Sequence, residues 1–179
     1  MRITKVYTRT GDQGSTSLAK GERVSKGNKR IAAIGSLDET NSVIGVVLGQ
    51  STVSEIAEVL AGVQHTLCNI GGTLAMKGED LALVSKEDVT ALEEAIDSLN
   101  SSLPPLKEFV LPGGSKAAAH LHHARAVCRR AERDVVTLHK EEAVDSQILA
   151  YLNRLSDYLF VAARYQNAKD GGKEKLWKR

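Results

Sequence analysis

Between Ser54 and Met76 the apolar residues Ile56, Leu60, Val63, Leu67, Ile70 and Leu74 recur at intervals of three and four. That interval belongs to one face of an α-helix; a strand would alternate every second residue. The same period appears in four other segments. The first covers about 29–49, with Ile31, Ile34, Ile44 and Leu48. A third starts near Ser85, where Ser85 and Asp88 have capping-box spacing, and carries Val89, Leu92, Ile96 and Leu99. The fourth covers about 115–139. The fifth covers about 144–167, with Ile148, Leu152, Leu155 and Leu159. Strong strand runs are absent. Five long helices with short or moderate connectors predict an all-α, antiparallel five-helix bundle. Aromatics are only 4% of the chain, so Leu, Ile, Val and Ala must fill the core.

The 179 residues suit a single domain. We divide it into a polar amino-terminal loop (1–29), the bundle (30–167) and a charged, loose tail (168–179). Twenty-four basic residues against 22 acidic ones leave a charge of +2, too weak a field to predict a nucleic-acid partner. The first ten residues lack the apolar centre of a signal peptide, and no uninterrupted apolar run approaches a membrane span. The expectation is a cytoplasmic protein with no membrane association. Cys68 and Cys128 lie in helical patterns without a CxxC, and are expected as reduced core or near-core thiols. His65, three residues before Cys68, adds only weak support for a metal.

Two regions carry polar groups that packing does not call for. In the amino-terminal loop, Gly11 and Gly14 permit close backbone approach, while Thr10, Ser15 and Thr16 supply hydroxyls. Lys20, Arg23, Lys26 and Arg30 are nearby counter-charges. The order GxxxxGK[ST] is missing, so this is not a Walker loop; alone it reads first as a Gly-Thr turn. On the fourth helix, Arg125, Arg129 and Arg133 recur every four residues and share a face. Alone the row reads first as an ordinary solvated face. Yet arginine suits bidentate pairing with phosphate and carboxylate. The first helix offers Asp38, Glu39 and Asn41, and the fifth offers Asn153, Arg154 and Asp157. Ser36 and Glu39 also have capping-box spacing, so Asp38 could instead favour the positive end of a helix.

Five blocks in order, TRTGDQGST from Thr8, RIAAIGSLDETNSVIG from Arg30, FVLPGG from Phe109, HHARAVCRRAERDV from His122 and YLNRLSDYLFVAARY from Tyr151, resemble the propanediol-utilisation type of ATP:corrinoid adenosyltransferase. The resemblance spans 6 to about 165. It implies a homotrimer with sites between subunits. The implied reaction transfers the 5′-deoxyadenosyl group of ATP to the cobalt of cob(I)alamin, with release of triphosphate and help from Mg2+. A corrinoid reductase and an adenosylcobalamin-dependent enzyme are the implied partners.

Residue by residue, the resemblance implies that Thr8, Thr10, Gly11, Asp12, Gly14, Ser15 and Thr16 wrap the triphosphate, with Lys26 adding charge. Arg129 is the implied phosphate contact. Arg130, Glu132 and Asn153 complete nucleotide and magnesium recognition, Glu132 being the metal ligand. Asp38 and Arg125 would pair across a subunit boundary. Phe109 would sit at the corrin face, excluding the lower axial ligand and favouring a four-coordinate cob(II) intermediate. Thr40, Ile34 and His123 depart from the usual residues; the first two put local packing in question, and His123 could touch solvent or substrate. Three other functions compete: a non-catalytic ATP-binding regulatory helical bundle, a structural helical oligomer, and another ATP-dependent transferase or kinase.

Overall fold

All five helical patterns fold as helices in a computed structural model that describes residues 6–79 and 81–178. They are α1 (Lys29–Leu48), α2 (Ser54–Ala75), α3 (Lys86–Asn100), α4 (Lys116–His139) and α5 (Ser146–Lys169). Local chemistry sets their starts. Asn28 caps α1 by accepting from the Arg30 N–H at 2.8 Å. Ser85 and Asp88 form a reciprocal capping box on α3, as their spacing predicts. Ser115 and Asp145 cap α4 and α5 by accepting from Ala118 and Gln147 N–H groups. Ser36 and Glu39, by contrast, do not begin a helix. Ser36 is buried mid-α1, and its hydroxyl donates to the Ala33 carbonyl. Asp38 therefore lies far from the positive end of α1.

Helix α5 is the spine. It packs against α4 and α3, while α4 also packs against α1 and α1 against α2. Small residues on α4 (Ala124, Cys128 and Ala131, all fully buried) let it approach α5 closely. The Cys128 thiol reaches the Leu152 carbonyl at 3.5 Å. Burial pushes that thiol up to about 12, so it stays an inert core group. Cys68 corrects the expectation of two core thiols: it is exposed on α2, where the Asn41 amide meets its sulfur.

Two further expectations need correction. The amino-terminal loop contains a hairpin, β1 (Ser15–Ser17) paired antiparallel with β2 (Arg23–Ser25). Its strands are three residues long and mostly polar, too short to give an alternating signal. A turn closed by Gly21 (φ +84°) joins them, buried Leu18 anchors them, and the Ala19 N–H donates to Ala75 at the end of α2. The charged tail is docked rather than loose. Leu111 N–H donates to Lys175 and Trp177 N–H donates to Phe109, both at 2.8 Å. The Arg164 guanidinium meets the Glu174 carboxylate at 2.6 Å with little exposure. Helix α1 passes a length-and-composition test for crossing a membrane, yet it holds no uninterrupted apolar run. Its small apolar residues raise the average despite Arg30, Asp38 and Glu39, and its Ala33, Leu37, Ile44 and Val47 lie in the bundle core.

Candidate active site

The phosphate-loop candidates converge around one cation. Arg23 donates to the Thr10 carbonyl at 2.6 Å, to the Ser17 hydroxyl at 3.3 Å, and to the Ser15 hydroxyl. Thr8 and Thr10 share a hydroxyl hydrogen bond of 2.8 Å. Gly14 adopts φ +78°, a left-handed conformation suited to glycine, and its carbonyl accepts from the Lys26 N–H. The Lys26 ammonium comes so close to Gly11 that a Cβ there would sit 3.3 Å away. Thr8, Thr10, Gly11, Asp12, Gly14, Ser15, Thr16 and Lys26 thus lie in one folded unit, with the Lys26 ammonium beside Gly11. Arg23, named from sequence only as a counter-charge, is the brace of this unit.

A second group lies on α4 and α5. The Asn153 amide donates to the Glu132 carboxylate at 3.0 Å, joining the two helices. Arg129 is exposed, and its carbonyl accepts from Arg133. Arg130 pairs with Glu39 of α1, and this partner holds its guanidinium above the usual arginine value. Arg154 pairs with Glu93 of α3 and Asp157 of its own helix.

A third group surrounds a pocket of about 600 Å³ lined by Leu106, Glu108, Phe109, Val110, Arg125 and Phe160. Phe109 is 75% exposed, and its ring meets the Trp177 ring edge-on at 6.3 Å. Arg125 lies over the Phe160 ring at 5.9 Å. Its Nε is buried and, among the described residues, without a hydrogen-bond partner. Burial first, and Arg129 second, lower the tendency of Arg125 to hold its proton. Asp38 is exposed on α1, lining a separate groove of about 360 Å³ with Ile34, Asn41 and Cys68.

Within one chain the loop and Asp38 stand apart from the two groups on α4 and α5. The loop reaches the end of α2 through Ala75 and the Lys77–Glu22 and Lys20–Glu79 pairs. Among the described residues no hydrogen bond or ion pair ties it to Arg129, Glu132 or Asn153, and none ties Asp38 to Arg125. Sequence reading missed Phe160, Trp177 and His122. Two signals were available: Phe160 is the only other Phe, and Trp177 the only Trp, lying in an otherwise charged tail. His122, not His123, is the histidine withdrawn from solvent. It is 5% exposed, its Nδ1 lacks a partner among the described residues, and its ring lies 6.1 Å from Phe160.

These features define a helical-bundle protein with a glycine- and hydroxyl-rich loop carrying Lys26, an arginine- and carboxylate-bearing helix face and an open aromatic pocket. The model of the cobalamin adenosyltransferase family matches residues 6–166, and the chain belongs to that family. A cobalamin adenosyltransferase of Cupriavidus metallidurans is 46% identical, the match covering 99% of this chain and 96% of the relative. The corrinoid adenosyltransferase of Bacillus subtilis is 47% identical, with 93% and 89% covered. The fold matches a variant PduO-type ATP:corrinoid adenosyltransferase from Lactobacillus reuteri, solved in complex with cobalamin and ATP. That likeness has a TM-score of 0.93 and 35% identity, and covers 98% of this chain and 97% of that one.

Proposed function

We propose that the three groups are the parts of one site, completed when subunits meet, that holds ATP and a corrinoid together. The chain transfers the 5′-deoxyadenosyl group of ATP to the cobalt of cob(I)alamin, forming adenosylcobalamin. A cobalt–carbon bond forms at C5′ as the C5′–oxygen bond breaks, and the electron pair leaves with triphosphate. Cob(I) is itself a strong carbon nucleophile, so no Ser, Cys or His base is needed. The protein's task is to bring cobalt and C5′ into line and to stabilise the departing charge.

The observation that carries this reading is the order of groups along α4. Arg125 stands beside Phe109 at the aromatic pocket, Glu132 meets Asn153, and Arg129 lies between them. Seven residues separate Arg125 from Glu132, about 10.5 Å along a helix. That length suits a corrin at one end and phosphates at the other, with Arg129 reaching the leaving group. Residues 8–16 and Lys26 of a neighbouring subunit would close over the triphosphate. Asp38 of one subunit would supply the partner that Arg125 Nε lacks among the described residues. A homotrimer satisfies both requirements.

Among the described residues no group of three or more His, Cys, Asp and Glu could hold a metal. Mg2+ does not require one, since it is commonly bound by one or two carboxylates, substrate phosphates and water. Glu132 fits: its carboxylate faces an amide rather than a cation of its own chain. Bound there, Mg2+ would offset the charge of the triphosphate. The decisive experiment is anaerobic incubation with ATP and chemically reduced cobalamin. A light-sensitive cobalt–carbon product with stoichiometric triphosphate is expected. ATP breakdown to ADP without that product would overturn the reading in favour of a kinase-like reaction, and ATP binding without turnover in favour of a regulatory bundle.

A further inference from the structure

Phe109 presents a difficulty that its side chain does not solve. At 75% exposure the ring has little packing beyond the edge of Trp177, which itself sits on the tail. Its position must come from the backbone of the connector between α3 and α4. Two restraints act on that backbone. One is the pairing of the connector with the tail, where Val110 faces Leu176 between the two hydrogen bonds of 2.8 Å. The other is Asn167, near the end of α5.

Asn167 is 5% exposed. Its Oδ1 accepts from the Ser115 N–H at 3.1 Å, at the close of the Pro-Gly-Gly turn, and its backbone carbonyl accepts from the Gly172 N–H at 2.8 Å. The same Oδ1 occupies the space that a Cβ on Gly114 or on Gly172 would need. Gly114 also has φ +103°, so glycine is required there on two counts. Gly172 lies outside the left-handed region, and its requirement is purely steric. One buried amide therefore meets the connector on one side and the tail on the other.

We infer that Asn167 is a positioning residue for Phe109, setting the register of connector and tail through its contacts with Ser115, Gly114 and Gly172. This rests on Phe109 facing the corrin, the reading given above. Trp177, the only tryptophan, reports the tail directly.

The test uses Asn167→Ala, Gly172→Ala, their combination, and Phe109→Ala in the full-length protein. Acrylamide quenching of Trp177 reads the register. The four-coordinate cob(II)alamin population with ATP, and kcat under reductant, read its consequence. Each single change is expected to raise quenching and to lower kcat by about 10- to 100-fold, the scale of an ångström-sized misplacement, with KM for ATP nearly unchanged. The double variant should recover part of both, because the methyl group added at position 172 fills the space the amide leaves. Wild-type quenching and kcat in both single variants would overturn the inference, as would a double variant as defective as the two losses combined. If Phe109→Ala keeps a wild-type four-coordinate population, the corrin-facing reading is what fails; Trp177 quenching then decides the positioning claim alone.

Discussion

At the residue scale the functional groups differ in how much of their environment they share with water. Arg129 is exposed and preorganised mainly by its place on α4. Replacing it with Ala should leave helix content intact and lower turnover by about 10²–10³-fold, roughly 2.7–4 kcal/mol, by analogy with a lost oxyanion donor. Lysine should not restore it, lacking the planar fork. Single-turnover kinetics with pre-formed cob(I)alamin would measure both, and a near-wild-type kcat/KM would remove Arg129 from the mechanism. His122 differs because it is buried. Desolvation pushes its pKa below the ordinary 6.5, Arg125 adds to that, and Glu174 opposes it. The folded protein therefore binds the His122 proton less readily than the unfolded chain. Its contribution to stability is complete above 6.5 and is lost as pH falls from there toward the lower folded value. Thermal unfolding should thus show a Tm that falls as pH drops below about 6.5, with a shallower fall in His122→Gln. Identical pH profiles would mean that other groups set the acid limit.

At the element scale the tail is the piece whose role changes most once its contacts are seen. Arg164 is buried on α5 and is satisfied from two directions, by Glu174 of the tail and by the Pro104 carbonyl at 2.8 Å. Glu174→Ala leaves that guanidinium buried with only part of its partnership. Such a loss costs about 3 kcal/mol, or about 6–12 °C in Tm for a chain of this size. Calorimetry and Trp177 quenching should move together in this variant. Unchanged Tm with unchanged quenching would show that water replaces the carboxylate without penalty. The α3 capping box illustrates the opposite case. Ser85 and Asp88 are three residues apart, so both partners of the motif are visible in a four-residue window. Glu174 and Arg164 are ten apart and in different elements, and no local rule pairs them.

For the whole molecule, the question is what Arg125 meets. Its Nε is unpartnered among the described residues while Asp38 lies exposed on another face. If the two meet between subunits and are desolvated there, breaking the pair costs roughly 3–5 kcal/mol; if the contact stays wet, about 0–1 kcal/mol. Asp38→Arg and Arg125→Asp should each impair assembly or activity, and the double exchange should recover part of the loss. Sedimentation and activity of all four proteins at matched concentration would settle it. Strictly additive losses would leave direct pairing unsupported, and a fully active monomer would remove the shared site.

The amino-acid sequence by itself determined the five helices, the capping box of α3 and the family. Those features are written in intervals of three and four residues and in contiguous blocks such as TRTGDQGST and RRAERD. What it left undecided was every contact between residues distant along the chain. Arg130 meets Glu39 of another helix, Arg125 lies over Phe160, the tail pairs with the Phe109 connector, and Asn167 fits between two glycines. The short polar hairpin escaped for a related reason: its strands are stabilised by pairing and by attachment to α2, not by an apolar alternation of their own. Periodicity reports which face of an element is apolar; only the packed bundle decides which face of which other element it meets, because that choice depends on the shape and burial of all of them at once.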